Sequence, residues 1–291
     1  NYLKNRIARV YPRHIFTLLL TIIIFISLTI NYLNFFKFSF QAFALHLFLM
    51  QSWIPQHSLS MNVPSWSVST EMFFFFFFPF LFNFFINRVK MKTVILVFLL
   101  FWLVSQITMN LFYFSENYAG YQSIDRYFLY YNPFLHLNSF CIGLMFGLIF
   151  INKQQFFNKN YDLAILAVFA VCSVLVYIFR DFMVHNGFFA IPFGILIYLV
   201  AANNGKMTKF FRNKWLAHLG EISFAMYLLQ NPVFISLKKT FSIFGINAPY
   251  LFFFLGFIIL LVFSHFTYLY FEKPARNWIK NKNIRNIKLK L

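Results

Sequence analysis

Acidic residues are scarce in this chain. Seven Asp and Glu residues stand against 25 Lys and Arg among 291 residues, and charged residues make up only 11%. So little charge cannot cover a water-facing surface, because 60% of the residues are hydrophobic and 48 are Phe. Many apolar runs reach the roughly 17–25 residues that cross a bilayer, and they are continuous rather than alternating. The sequence therefore predicts an all-α, polytopic helical membrane protein.

Cysteine is almost absent as well. Cys141 and Cys172 lie inside apolar runs, and no Cys-x-x-Cys or Cys/His metal spacing exists. Neither a disulfide framework nor a metal site is predicted. The net charge of +18 could suggest a nucleic-acid partner, but most of the cations stand at the ends of apolar runs, as cytoplasmic flanks do. We expect contact with membrane lipids and none with nucleic acid.

The apolar stretches predict the topology. The stretch 40–53 is too short for a span at about 14 residues, so we interpret it as a half or tilted helix. With 40–53 not crossing, the positive-inside rule places every main basic cluster and both termini in the cytoplasm. The interpretation is one domain over 1–291, in which the loop 115–131 faces outward. The eight predicted full spans are 14–33, 70–86, 93–114, 133–151, 163–179, 187–202, 216–237 and 249–271.

One acid stands inside an apolar run. Glu71 belongs to NVPSWSVSTEMFFFFFFP at 62–79, where six Phe residues follow it closely. An acid at mid-bilayer costs about 2.5–3.5 kcal/mol on insertion scales, so it faces by default a protein interior or a water-filled cavity. The predicted topology places Glu71 near the outer face. It could orient a catalytic base, bind a substrate hydroxyl or pair with an arginine.

Four motifs carry a resemblance. They are NRIARVYP at 5–12, the stretch 62–79, LGEISFAMYLLQNPV at 219–233 and YFEKPARNW at 270–278. In this order, across nearly the whole chain, they resemble the membrane acyltransferase-3 family, whose members transfer acyl groups to sugars. A weaker fifth motif, at 132–147, has His136 and Ser139 where the family more often has Arg and Glu.

The resemblance implies an activity and a location. It implies a membrane-bound O-acyltransferase, with acetyl as the expected acyl group, in the bacterial cytoplasmic membrane. The acyl group would pass from cytoplasmic acyl-CoA, a donor substrate rather than a cofactor, to a hydroxyl of a cell-surface or secreted glycan or lipid-linked sugar. Family members have two further N-terminal spans with an Arg-x10-His motif, whose His is taken to be catalytic. Nothing here corresponds to them, and the chain begins without Met, so we expect an N-terminally truncated fragment that lacks this His.

The resemblance also assigns roles to residues. Arg6 and Arg9 share a face if helical, and the resemblance favours contact with the phosphates of acyl-CoA over an ordinary cytoplasmic flank. Glu71 is the predicted catalytic residue. Glu272 and Arg276 are predicted to form a structural ion pair, with Arg6 or Arg9 as other possible partners of Glu272. The predicted substrate-binding residues are Trp66, Ser67, Ser69, His136, Tyr227 and Gln230.

Structural or interfacial roles are alternatives for several of these residues. A Trp such as Trp66 is more commonly part of an interfacial belt, and serines such as Ser67 and Ser69 more often cap the following helix, for which Ser69 is well placed. Lys4 and Arg13 are interpreted as flank residues. Six other histidines have no acid at triad-like spacing and are interpreted as interfacial or packed: His14, His46, His57, His185, His218 and His265.

Two other functions stay open. A transporter or flippase for a lipid-linked sugar would suit the buried acids and the short helix at 40–53, although no pair of corresponding interrupted helices is visible. An inactive, truncated relative is the third possibility.

Overall fold

A computed structural model describes residues 2–27, 40–152 and 159–281, and over these ranges the chain is helical without a strand. The all-α prediction is confirmed. The end of the predicted span 14–33, most of the basic cluster 153–159 and the tail from 282 lie outside the described residues. The α-helices are α1 Tyr2–Ser27, α2 Phe40–Leu47, α3 Trp66–Leu81, α4 Met91–Tyr113, α5 Ile124–Tyr131, α6 Leu137–Asn152, α7 Asp162–Ile178, α8 Ala190–Ala202, α9 Lys206–Phe211, α10 Lys214–Ile243, α11 Pro249–Thr267 and α12 Lys273–Asn281.

Within the described ranges, five helical segments are long and apolar enough to cross a membrane: Tyr2–Ser27, Val63–Ile86, Met91–Tyr113, Ile124–Asn152 and Pro249–Asn281. The predicted spans at 163–179 and 187–202 correspond to α7 and α8, which have only 17 and 13 residues. At 1.5 Å per residue, 13 residues extend about 20 Å, which is less than the hydrocarbon core of a bilayer. The multi-pass architecture is thus established, whereas the count of eight full spans stays a prediction.

The N-terminal helix begins well before the predicted span. Helix α1 starts at Tyr2, so the basic residues 4–13 are helical themselves and Pro12 lies inside the helix. Its 26 residues extend about 39 Å, more than the hydrocarbon core requires. The arginines are therefore part of the helix that also carries the apolar span, and they do not form a separate flank ahead of it.

The structure places a short helix at the predicted half-helix 40–53 and a second short helix within the predicted loop 115–131. Helix α2 has eight residues and ends where Leu49 adopts φ +57°, the left-handed conformation that terminates helices; this agrees with a half-helix at 40–53. The loop predicted at 115–131 is wrong over its second half, which forms α5. Ser123 caps that helix, since its hydroxyl accepts from the Arg126 N–H at 3.0 Å, and Asp125 lies in the positive first turn.

The chain divides into two compact units. The first comprises residues 1–51, 59–75 and 218–291, and the second comprises 52–58 and 76–217. A core cluster of the first unit joins α1, α3 and α10: Val10, Leu49, Val68, Met72, Phe75 and Leu228. The second unit contains a buried amide network in which Gln106 donates to the Asn186 carbonyl at 2.8 Å and Asn110 accepts from the Met183 N–H at 2.9 Å.

Candidate functional site

A cavity of about 420 Å³ opens among α1, the start of α10 and the C-terminal helix of the first unit. Its walls carry five cations and one acid, so it has a strongly positive potential. The volume lies in the range of small-molecule sites. The lining residues are Tyr2, Asn5, Arg6, Arg9, Arg13, Glu221, Tyr268, Arg276 and Lys280.

Helix α1 supplies three of the cations. Arg6, Arg9 and Arg13 are spaced by three and four residues, so they lie one above another on one face. The Arg6 guanidinium is 5.4 Å from the centre of the Tyr2 ring and 5.5 Å from that of Phe75. Arg9 is exposed. The prediction that Arg6 and Arg9 share one helical face is confirmed, because both line the same cavity.

The deepest cation forms a buried ion pair. The Arg13 Nε atom contacts the Glu272 Oε2 atom, and the two side chains are only 7% and 4% exposed. Glu272 ends the π-helical turn Tyr268–Glu272, so the pair joins α1 to the C-terminal segment. The partner of Glu272 is thus Arg13, which the sequence analysis left among the flank residues, and not Arg276, Arg6 or Arg9. Arg276 lies one turn beyond Glu272 and lines the cavity, and its charge acts on Glu272 without a direct ion pair.

The opposite wall comes from α10 and the C-terminal turn. The Tyr268 hydroxyl donates to Glu221 Oε2 at 2.8 Å, and the ring nitrogens His218 Nε2 and His265 Nδ1 are 2.8 Å apart. His218 and His265 therefore lie beside the cavity wall, and the interpretation of them as interfacial or packed is consistent with this place. Lys4, another predicted flank residue, donates to the Lys280 carbonyl at 2.8 Å and ties the two basic segments together.

Glu71 lies close to the same arginines. It is half-buried in α3, and the charges of Arg9, Arg13 and Arg6 all act on its carboxylate. Phe75, one turn along α3, packs against Arg6, which places Glu71 only about 6 Å along that helix from the level of Arg6. The prediction that Glu71 and the paired arginines face opposite sides of the membrane is therefore wrong.

The predicted substrate-binding residues of the first unit differ in their surroundings. The Ser69 hydroxyl is buried and donates to the Leu49 carbonyl at 2.6 Å. It does not cap α3, because the helix already begins at Trp66. Ser67 donates to the Pro64 carbonyl at 3.1 Å and lies within hydrogen-bonding reach of Tyr227.

The last two predicted substrate residues are placed less favourably. Gln230 is exposed, so it does not share a buried polar surface with Tyr227. His136 belongs to the second unit, where its Nε2 atom donates to the Tyr130 carbonyl at 3.0 Å and its ring packs on His185.

Spacing alone could have identified the missed cation, since Arg13 follows Arg9 by one turn. The cavity residues Tyr268, Glu221 and Lys280 carry no such local signal. In the ranges that the structure describes, no three His, Cys, Asp or Glu side chains converge as a metal site requires.

The family comparison is specific. A family model described as an acyltransferase domain matches residues 1–269, which include Glu71 and all the cavity residues except Arg276 and Lys280. Comparison with curated proteins and with solved structures gives no match. Together with the five apolar helices, the family match identifies a multi-pass membrane protein with an acyltransferase domain. The chain therefore belongs to the acyltransferase-3 family.

Proposed function

We propose that this chain is a bacterial inner-membrane O-acyltransferase that takes an acyl group, with acetyl as the expected one, from cytoplasmic acyl-CoA. The acceptor is a hydroxyl of a cell-surface or secreted glycan. The observation that carries the proposal is the cavity that groups Arg6, Arg9, Arg13, Arg276 and Lys280. Its three arginines from α1 also interact electrostatically with the Glu71 carboxylate.

The cavity suits the nucleotide end of CoA. That end carries a pyrophosphate and a further phosphate, which require several cations and N–H donors. Arginine forks bind phosphate oxygens bidentately, and four of the five cations are arginines. The exposed Arg9 and Lys280 lie on the solvent side, whereas Arg13 is buried against Glu272. This gradient supports entry of the phosphates from the basic side of the membrane, which the positive-inside rule makes cytoplasmic.

The reaction then needs a group that handles one proton. The acceptor hydroxyl oxygen attacks the thioester carbonyl carbon, a C–O bond forms, the C–S bond breaks, and the hydroxyl proton ends on the released CoA thiol. A carboxylate can take up that proton directly or orient the base that does so. Glu71 is suited to this role because it is half-buried and lies near arginines that line the donor cavity. The arginines also stabilise the negative charge that develops on the carbonyl oxygen.

The test uses membrane vesicles that contain the intact protein and radiolabelled acetyl-CoA. Labelled glycan and free CoA thiol are measured together. In the double variant Arg6→Ala/Arg9→Ala, loss of two charge-assisted contacts at about 1.5 kcal/mol each raises the KM for acetyl-CoA about 100-fold. The control Arg88→Ala/Lys90→Ala removes two exposed cations of the second unit and leaves KM unchanged.

Three outcomes contradict the proposal. An unchanged KM for acetyl-CoA in the Arg6→Ala/Arg9→Ala variant would show that these arginines do not contact CoA. Movement of a lipid-linked sugar without acceptor-dependent CoA release would favour a transporter. Absence of any label in the wild-type protein, with normal expression, would favour an inactive relative.

A further inference from the structure

The second unit differs in charge between its two ends. The described residues of one end, where α4 and α7 begin and α8 ends, carry eight Lys and Arg: Arg88, Lys90, Lys92, Lys159, Lys206, Lys209, Arg212 and Lys214. The opposite end, where α4 ends and α8 begins, carries Arg126 and Arg180 together with three acids: Glu116, Asp125 and Asp181. With eight cations against two, the positive-inside rule directs this second end away from the cytoplasm. It therefore faces the side on which a cell-surface or secreted glycan is found.

The outward end carries a continuous group of aromatic and cationic side chains. The Arg126 guanidinium contacts two rings, at 5.0 Å from the centre of Tyr121 and 4.5 Å from that of Tyr130. The Tyr130 ring in turn packs on His185, with ring centres 5.0 Å apart. The first three residues belong to α5 and the turn before it, whereas His185 belongs to the loop between α7 and α8. We call this group of Tyr121, Arg126, Tyr130 and His185 the tyrosine surface.

Tyr121 is exposed, yet its backbone is held in place. The residue is 78% exposed, although Arg126 covers one face of its ring. It lies between Gly120 at φ +76° and Gln122 at φ +65°, and this left-handed conformation is unfavourable for a non-glycine residue. The Ser123 hydroxyl donates to the Gly120 carbonyl at 2.7 Å and accepts from the Arg126 N–H, which fixes the turn to the start of α5. A strained turn that presents an exposed ring is typical of a ligand contact.

The chemistry of this surface suits a carbohydrate. The faces of a sugar ring carry C–H groups with a small positive charge, and these pack on the negative face of a tyrosine ring. The hydroxyls of a sugar bond to cations, imidazoles and carboxylates alike, and Arg126, the exposed His185 and the exposed Glu116 lie at this end. A phosphate-rich ligand is disfavoured, because two cations and three acids give the end a net charge of −1. The surface thus matches a neutral, hydroxyl-rich ligand.

We propose that the tyrosine surface binds sugar residues of the glycan acceptor, with Tyr121 as the stacking ring and Arg126 and His185 as hydrogen-bonding groups. This inference rests on the proposed function and deepens it, because it gives the acceptor a docking surface on the second unit. A polymer can bind there through one sugar while another sugar of the same chain presents the reacting hydroxyl. The site needs no enclosed cavity, since stacking requires only an open ring face, which the exposure of Tyr121 provides.

The binding test uses the intact protein in lipid nanodiscs, without acyl-CoA. Saturation-transfer difference NMR measures contact between the protein and the C–H protons of two probes, maltohexaose and chitohexaose. We expect a signal from at least one probe and a Kd about fivefold higher in Tyr121→Ala, as for the loss of one aromatic contact. Tyr121→Phe keeps the ring, so its Kd stays within about twofold of the wild-type value.

The matched control is Tyr177→Ala. Tyr177 is 73% exposed and its ring centre lies 5.7 Å from the Arg180 guanidinium, but it belongs to the apolar helix α7. Its variant leaves the Kd for both probes unchanged. Equal effects of Tyr121→Ala and Tyr177→Ala would overturn the site and assign both tyrosines to an interfacial belt. The absence of a signal from both oligosaccharides would overturn it as well.

The acyl-transfer assay separates this inference from the proposed function. In membrane vesicles, Tyr121→Ala raises the KM for the glycan about fivefold and leaves the KM for acetyl-CoA unchanged. Oligosaccharide binding without any acyl transfer would refute the proposed function and support the tyrosine surface. Acyl transfer with an unchanged KM for the glycan in Tyr121→Ala would refute the tyrosine surface alone.

Discussion

The ion pair between Arg13 and Glu272 is the most exacting test of the structure. Both side chains are nearly inaccessible to solvent, and they join α1 to the turn that precedes α12. Removal of one partner leaves the other charge buried without compensation. Such single deletions cost about 3–5 kcal/mol, whereas replacement of a whole buried pair by apolar residues of similar volume is often neutral or stabilising.

The expected pattern is therefore non-additive. Arg13→Met and Glu272→Leu each lower the free energy of unfolding by about 3–5 kcal/mol. The double variant Arg13→Met/Glu272→Leu remains within about 1 kcal/mol of the wild-type protein, because no charge is left behind. The stacking of Arg13 over Phe224, at 5.0 Å from the ring centre, is retained in part by the Met side chain.

The assay is a titration with sodium dodecyl sulfate in mixed micelles, followed by far-ultraviolet circular dichroism. The control pair is Arg180 and Asp181, whose Nε and Oδ2 atoms are 3.6 Å apart and whose side chains are 68% and 81% exposed. Arg180→Met leaves the midpoint unchanged, because exposed pairs contribute little.

Additive losses in the double variant would refute the reasoning. Two independent effects would then sum, and neither charge would depend on the other. A double variant that is stable but has a raised KM for acetyl-CoA agrees with the proposal that Arg13 also contributes to the cavity potential.

Three further predictions concern single residues. Gln122→Gly raises the free energy of unfolding by about 1 kcal/mol, measured in the same titration, because this exposed residue has φ +65°, which costs little for Gly. Asn203→Ala lowers it by about 3 kcal/mol, since the buried Asn203 side chain accepts from two backbone N–H groups and donates to Asp162 and Thr208. Glu71→Gln lowers the kcat of acyl transfer about 100-fold or more, as loss of a group that handles the proton does, with the KM for acetyl-CoA within a few-fold.

Each of these has a control and a contradicting result. Gln122→Ala keeps the left-handed strain and gains no stability; an equal gain there would assign the effect to the side chain. For Asn203, an unchanged midpoint would mean that water replaces its bonds. Glu221→Gln changes another acid at the cavity. An equal loss of kcat in that variant would contradict the assignment of proton handling to Glu71.

The family and the fold class followed from local sequence. Continuous apolar runs with few acids identify membrane helices without knowledge of how the helices pack. Apolar side chains favour the lipid, and a helix satisfies its backbone hydrogen bonds internally. The joint position of Arg6 and Arg9 was likewise predictable, because a spacing of three residues on a helix determines a shared face. The motifs that indicated the acyltransferase-3 family are continuous in the chain, and the family match confirms the family over residues 1–269, which contain all of them except the motif at 270–278.

Helix boundaries were less predictable. Helix α1 extends through a basic segment with a proline, and α5 forms where the sequence suggested only a loop. In both cases the local pattern is weak, and capping by Ser123 or packing against neighbouring helices determines the outcome.

Only the tertiary structure decided which distant residues meet. Glu272 pairs with Arg13 at the far end of the chain, and Glu71 lies near the arginines of α1 and not on the opposite face. Tyr121 and His185 are far apart in the chain, yet both join the surface around Arg126 and Tyr130. Composition determines that a segment enters the membrane, but pairing of charges and hydrogen-bonding groups depends on helix packing, which no local pattern encodes.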